Sequence, residues 1–118
     1  MSDHAFPAAA VDLAPADVRA RHERGEVQLV DVREPYEHAA GRIAGARHLE
    51  LEALAAQADT LARERPVVFY CRVGARSAMA AHAFRRAGWE AHSMDGGLEA
   101  WDRKGLPLEP EGGHVADH

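Results

Sequence analysis

Residues 67–84 read VVFYCRVGARSAMAAHAF, and this stretch decides the fold. The β-branched and aromatic run at 67–70 is of the kind that fills a strand buried on both faces. A five-residue turn follows, in which Gly74 permits a positive φ that other residues resist. The turn predicts a helix beginning near Arg76 or Ser77. Met79, Ala80, Ala83, Phe84 and Ala87 recur at spacings of three and four, a stripe expected to face the core, and Gly88 supplies the stop. Strand, tight turn and amphipathic helix in that order form one unit of a parallel α/β sheet.

The same grammar extends in both directions. VQLVDV at 27–32 reads as a second buried strand. Pro15 suits the start of a helix running to about Arg24, with Gly25 ending it. Leu51, Leu54, Ala55, Ala58, Leu61 and Ala62 predict another core-facing helix. Shorter strands are expected at Ala10–Leu13, Ala46–Leu49 and Glu90–Met94, and a short helix at Gly97–Lys104. This alternation predicts an α/β fold in three layers, a central, mainly parallel, five-stranded sheet with helices on both faces. Residues 1–10 read as an N-terminal extension, 11–105 as the domain, and 106–118, rich in proline and glycine, as a flexible C-terminal tail that is extended or disordered. Ligands of such sheets bind beyond the carboxyl ends of the strands, where Cys71 directly follows VVFY.

Composition narrows the function. The 118 residues are 47% hydrophobic and 28% charged, with a formal net charge of -5. Scattered arginines and an acidic balance argue against nucleic acid as a partner. No apolar stretch approaches the length a membrane span needs, and the first residues lack the pattern of a targeting signal. One cysteine makes no internal bridge and fits a reducing, cytoplasmic setting. Eight histidines invite a metal reading, but the one HxxxH spacing, His114 to His118, lies in the tail, and neither HExxH nor CxxC occurs. Neither metal nor cofactor is expected.

A lone cysteine is most often a small buried hydrophobe. The neighbours of Cys71 argue for chemistry instead. A tight loop opening a helix turns successive backbone N–H groups toward one atom and adds the positive end of the helix dipole, which together favour a thiolate. Here that atom is the Cys71 sulfur. The cradle is formed by Arg72, Val73, Gly74, Ala75, Arg76 and Ser77; the two arginines suit an anionic donor, and the Ser77 hydroxyl either caps the helix or donates to bound sulfur. Cys71 is the candidate catalytic nucleophile.

At these residues the chain resembles the rhodanese family in its small single-domain form, from roughly Val11 to Gly105. CRVGARS at 71–77 is similar to the family's active-site loop, whose cysteine accepts sulfane sulfur and passes it on. VDVREPYE at 30–37 with GRIAGA at 41–46 is similar to its first signature, and Asp95-Gly96-Gly97 followed by Trp101 to its last. Arg42 and Ala44 depart from the usual His and Pro, which implies altered local packing rather than lost chemistry. The resemblance implies a thiosulfate sulfurtransferase forming a Cys71 persulfide, with sulfur-containing anions or thiols, and a sulfur-acceptor protein, as partners. The alternative is a weakly catalytic interaction or sensor module. Phosphatases that share the fold have a loop one residue longer, so the four residues between Cys71 and Arg76 favour sulfur.

Supporting roles are expected for four residues. Asp31 would accept backbone N–H bonds at the site entrance or cap the turn after its strand. Arg33 and Glu37, at i and i+4, would form an ion pair bracing that turn. Gly96, with Gly97, would permit a close turn beside the active loop. Trp101 reads as core, and His82 and His92 as solvated or hydrogen-bonded imidazoles rather than bases.

Overall fold

The computed structural model describes residues 10–118, so nearly all of the expected extension at 1–10 lies outside the described residues. Five strands, β1 (Asp12–Leu13), β2 (Gln28–Asp31), β3 (Arg47–His48), β4 (Val67–Tyr70) and β5 (Ala91–Met94), form one sheet in the order β1-β5-β4-β2-β3. Every pairing in it is parallel. Helices α1 (Pro15–Glu23), α2 (Pro35–Ala40), α3 (Leu54–Gln57), α4 (Ala75–Arg86) and α5 (Gly97–Arg103) make the connections. Among the described residues no helix is long and apolar enough to cross a membrane.

The period of two along β4 splits the core. Val67, Phe69 and Cys71 point to the side filled by Leu54, Leu61, Ala80, Ala81 and Phe84. Val68 and Tyr70 point to the side filled by Val18, Leu98 and Trp101. Helices α3 and α4 therefore cover one face of the sheet, and α1 and α5 the other. Because β4 is central and closed to solvent along its length, the loop leaving it is anchored on a rigid element.

Four local expectations change. Helix α4 begins at Ala75, with Gly74 as its cap residue at φ +112°. Its buried stripe is Ser77, Ala80, Ala81 and Phe84, whereas Met79, Ala83 and Ala87 face outward. The alanine-rich sequence fits either face; what selects this one is Ser77, a polar residue whose hydroxyl finds partners inside. The expected helix over 51–62 breaks into a 3₁₀ turn (Leu51–Ala53), the single turn of α3, and a second 3₁₀ turn (Ala58–Thr60). Leu49 and Leu51 donate their N–H groups to Asp31 and Val32. Thr60 Oγ1 donates back to the Gln57 carbonyl at 2.7 Å, the local competition that ends helices. Helix α2 was not expected; Pro35 at its first position pre-sets φ, and its first-turn Glu37 suits the helix dipole.

Residues 106–118 run back along the domain, with a turn at Glu111–Gly112. Leu106, Leu108 and Val115 pack on the α1/α5 side of the core. Glu109 exchanges both backbone bonds with Arg42 at 2.8 Å, and His114 N–H donates to the Ala40 carbonyl. Arg42, where the sequence departs from the usual His, thus holds the returning segment through an isolated antiparallel bridge. The carbonyl of Ala44, the second departure, meets His22 Nε2 at 2.7 Å.

Candidate functional site

Cys71 is the first residue beyond β4, and its side chain is 1% exposed. Its sulfur is surrounded by donors. The Gly74 N–H lies 3.1 Å from Sγ, the Ser77 N–H 3.4 Å, and the Ser77 hydroxyl oxygen 3.5 Å. Gly74 reaches this position through its left-handed φ. The N–H groups of Ala75 and Arg76 also lie in the first turn of α4, where no intrahelical acceptor exists, so they remain available to an anion.

The opposite side of the loop is clamped by α5. Leu98 N–H donates to the Cys71 carbonyl at 2.8 Å and Glu99 N–H to the Arg72 carbonyl at 3.0 Å. With its carbonyls held there, the loop presents its N–H groups to the sulfur. Gly97 is central to that contact: its φ is +62°, and a Cβ would overlap the Arg72 carbonyl and lie 2.6 Å from the Cys71 carbonyl oxygen. Gly96, at φ +74°, sets the turn before it and passes beside Gly74.

Both loop arginines are paired within the protein. Arg76 donates from Nη1 and Nη2 to the two oxygens of Glu37 at 2.9 and 3.0 Å. Glu37 is completely buried and also accepts the Glu34 N–H at 3.1 Å. Burial pushes its carboxyl up, but the Arg76 guanidinium wins and holds it below the usual carboxylate range; the same contact raises Arg76. Arg72 meets Glu99 at 2.9 Å and approaches Asp117 at 3.6 Å. Val73, at the tip, is half exposed.

The expected ion pair between Arg33 and Glu37 is not formed. Pro35 starts α2 after Arg33, so the two residues do not share a helix and the i,i+4 geometry never arises. Arg33 instead turns back to Asp31, with Nε donating to Oδ1 at 2.8 Å and Nη2 to Oδ2 at 2.6 Å. Asp31 also accepts the Arg33 N–H at 3.0 Å and meets His38 Nδ1 at 2.8 Å, so it caps the turn after β2. Burial alone would raise its carboxyl; Arg33 and His38 bring it below the ordinary range. Tyr70 donates no direct role to the sulfur: its hydroxyl accepts the Ile43 N–H, and burial pushes its phenol well up.

Ser93 and Glu99 belong to this assembly and escaped the sequence reading. Ser93 Oγ lies 2.7 Å from Ser77 Oγ in the buried interior. A serine in the middle of a strand otherwise closed to solvent was the available signal. Glu99 could be found only by knowing that α5 abuts the loop. Trp101 is core, with Nε1 donating to Pro107, His82 is exposed, and His92 is buried against the Ala10 carbonyl. Glu34, Glu37 and His118 place ligand-type atoms within 4.8 Å of one another, but Glu37 is already engaged by Arg76.

A family model described as the Rhodanese-like domain matches residues 14–104. An HTH-type transcriptional regulator of Mycobacterium tuberculosis is 41% identical over 97 residues, 80% of this chain but 42% of that protein. The chain therefore spans less than half the length of that relative. A protein named sulfurtransferase in Allochromatium vinosum is 39% identical over 89 residues, 74% of this chain and 83% of the relative. The thiosulfate sulfurtransferase GlpE of Pseudomonas aeruginosa is 35% identical over 104 residues, 87% of this chain and 93% of the relative. Among solved structures, a rhodanese-related protein from Thermoplasma volcanium superposes with a TM-score of 0.77 at 27% identity, covering 82% of this chain and 95% of that one.

Proposed function

This chain belongs to the rhodanese-like domain family, and on that premise we propose that it is a sulfurtransferase that carries sulfane sulfur as a Cys71 persulfide. The observation supporting this reading is the convergence of the Gly74 and Ser77 N–H groups on the Cys71 sulfur at the start of α4. Donors aimed at one atom before reaction stabilise charge there without reorganising, as an oxyanion hole does for oxygen.

The reaction has two halves. The Cys71 thiolate attacks the outer sulfur of thiosulfate; the S–S bond of the donor breaks, sulfite leaves with the bonding pair, and a Cys71 persulfide anion remains. A thiophilic acceptor, cyanide in vitro or a thiol in cells, then attacks the outer sulfur, and the Cys71 thiolate departs. No net proton is consumed with cyanide. Because both arginines already hold carboxylates, recognition of the donor falls mainly on the loop amides, with the half-exposed Val73 forming the rim. Small anions, thiols and a sulfur-acceptor protein are the proposed partners, and a reducing, cytoplasmic setting would keep Cys71 in its working form.

Intact mass after thiosulfate treatment tests the proposal. The wild type should gain one sulfur atom and Cys71→Ser none; no gain in the wild type, or an equal gain in both, would overturn it. A second reading, a weakly catalytic interaction or sensor module, draws on the match to part of a transcriptional regulator. Cyanide-dependent turnover that disappears in Cys71→Ala favours the enzyme, and activity on an aryl phosphate would favour neither.

A further inference from the structure

Ser93 is a buried hydroxyl with one hydrogen-bond partner among the described residues, and that partner is Ser77. It lies in β5, on the α4 face of the sheet, in register with Phe69 of β4. The direction of the 2.7 Å contact follows from counting protons. Ser77 Oγ has a single proton and faces two acceptors, the Gly74 carbonyl at 3.2 Å and the Cys71 sulfur at 3.5 Å. The Gly74 carbonyl also accepts the Ala78 N–H at 3.0 Å. If the Ser77 proton serves either of these, Ser93 must be the donor in the serine pair, since otherwise no proton would lie between the two oxygens. A donor into the Ser77 oxygen polarises its O–H and strengthens it as a donor in turn.

We propose that Ser93 is a positioning residue of the sulfur site, orienting Ser77 so that its hydroxyl donates to anionic sulfur on Cys71. The relay runs Ser93 O–H to Ser77 Oγ, then Ser77 O–H to Cys71 Sγ. When the sulfur is protonated, its S–H donates to Ser77 Oγ and the Ser77 proton rests on the Gly74 carbonyl. Loss of the sulfur proton lets the Ser77 hydroxyl swing from carbonyl to sulfur without any heavy atom moving. Ser93 keeps the second lone pair of Ser77 occupied in both states, so the rotation has only those two stops. Ser93 touches neither the substrate nor the sulfur and acts only through Ser77.

The inference rests on Cys71 being the site of sulfur transfer, but its test needs no sulfur donor. Far-ultraviolet absorbance of the thiolate, read against pH with Cys71→Ser as the baseline, reports on the single cysteine of the chain. Ser93→Ala removes one oxygen and adds no bulk. Its thiolate signal should move to higher pH, by an amount equivalent to an anion held about three- to tenfold less well. Ser77→Ala should shift the signal at least as far, Ser93→Ala should add nothing in the Ser77→Ala background, and Ser93→Thr should restore the wild-type curve. An unchanged curve in Ser93→Ala, or an equal further shift in the double variant, would overturn the relay. Loss of packing alone would lower thermal stability without producing that non-additivity. Sulfur loading by mass, measured separately on the wild type, decides the sulfurtransferase reading whatever the curves show.

Discussion

Glu37 and Arg76, 39 residues apart, meet through two parallel bonds that tie α2 to the first turn of α4. The carboxylate is buried, whereas the guanidinium keeps 18% of its side-chain surface exposed. Removing the arginine is therefore the harsher change, because it strands a charge with no water to receive it. Arg76→Ala should cost about 3–5 kcal/mol in urea unfolding, as broken buried pairs do. Arg76→Lys keeps the charge but not the fork, and should fall between that variant and the wild type. Arg76→Met with Glu37→Gln should recover much of the loss. A cost under about 1 kcal/mol for Arg76→Ala would show that the pair behaves like an exposed one.

Gly97 offers a test of how tightly α5 holds the sulfur loop. Gly25 and Gly97 share a left-handed φ, +71° and +62°, but a Cβ at Gly25 meets nothing within 4 Å while one at Gly97 would overlap the loop backbone. Alanine at either position should incur the backbone strain, about 1–2 kcal/mol. Only Gly97→Ala should also displace the Cys71 and Arg72 carbonyls, and with them the amides facing Sγ. Its rate of sulfur loading from thiosulfate should fall at least tenfold, whereas Gly25→Ala should load normally once folded. Equal loading in the two variants would show that the loop keeps its shape without the α5 clamp.

The contrast between these glycines marks what could be read from the chain. The runs at 27–32 and 67–70 showed as strands because buried parallel strands are rich in β-branched and aromatic residues, and the tight turn after Tyr70 followed from Gly74. Pairings across the chain were not legible in this way. Arg33 and Glu37 looked like partners by spacing, but the helix that would have made the spacing meaningful starts two residues after Arg33. Arg33 turns back on Asp31 within the turn after β2, and the partner of Glu37, Arg76, emerges only once α2 and α4 converge. The stripe on α4 held at Ala80 and Phe84 and failed at Met79, Ala83 and Ala87: alanines mark no face, and Ser77, which belongs to the buried side, is polar and buried only because Ser93 and Gly74 receive it.

Asp31 should leave a signature in acid. Its carboxyl sits below the ordinary range in the folded protein, because Arg33 and His38 outweigh the effect of burial. Between the depressed folded value and the ordinary value of about 3.9, the unfolded chain binds more protons than the folded one, so stability rises with pH there and drains as pH falls. Glu37 acts in the same direction. Unfolding free energy should thus be insensitive to these two groups from pH 7 to about 5 and decline steeply below about 4. Asp31→Asn should be less stable at pH 7 and lose less on acidification. Parallel curves for the two proteins, measured by urea unfolding at each pH, would refute the assignment.

Arg72 supplies the last prediction, since its charge at the loop rim is neutralised by Glu99 at 2.9 Å, with both side chains about one-third exposed. A pair in contact with solvent contributes little to stability, so Glu99→Gln should unfold within about 1 kcal/mol of the wild type. Its effect should fall on the donor. Removing the nearer of the two carboxylates beside this guanidinium, with Asp117 left at 3.6 Å, makes the mouth more attractive to a dianion such as thiosulfate, and the gain is realised on binding rather than in the sulfur-transfer step. The KM for thiosulfate should therefore drop about two- to fivefold at low ionic strength while kcat changes little. Added salt should erase the difference, because the Debye length shrinks from about 30 Å at 0.01 M to about 3 Å at 1 M. A salt-independent change, or one confined to kcat, would place the action of Glu99 on loop geometry through the Glu99 N–H bond to the Arg72 carbonyl, and not on charge.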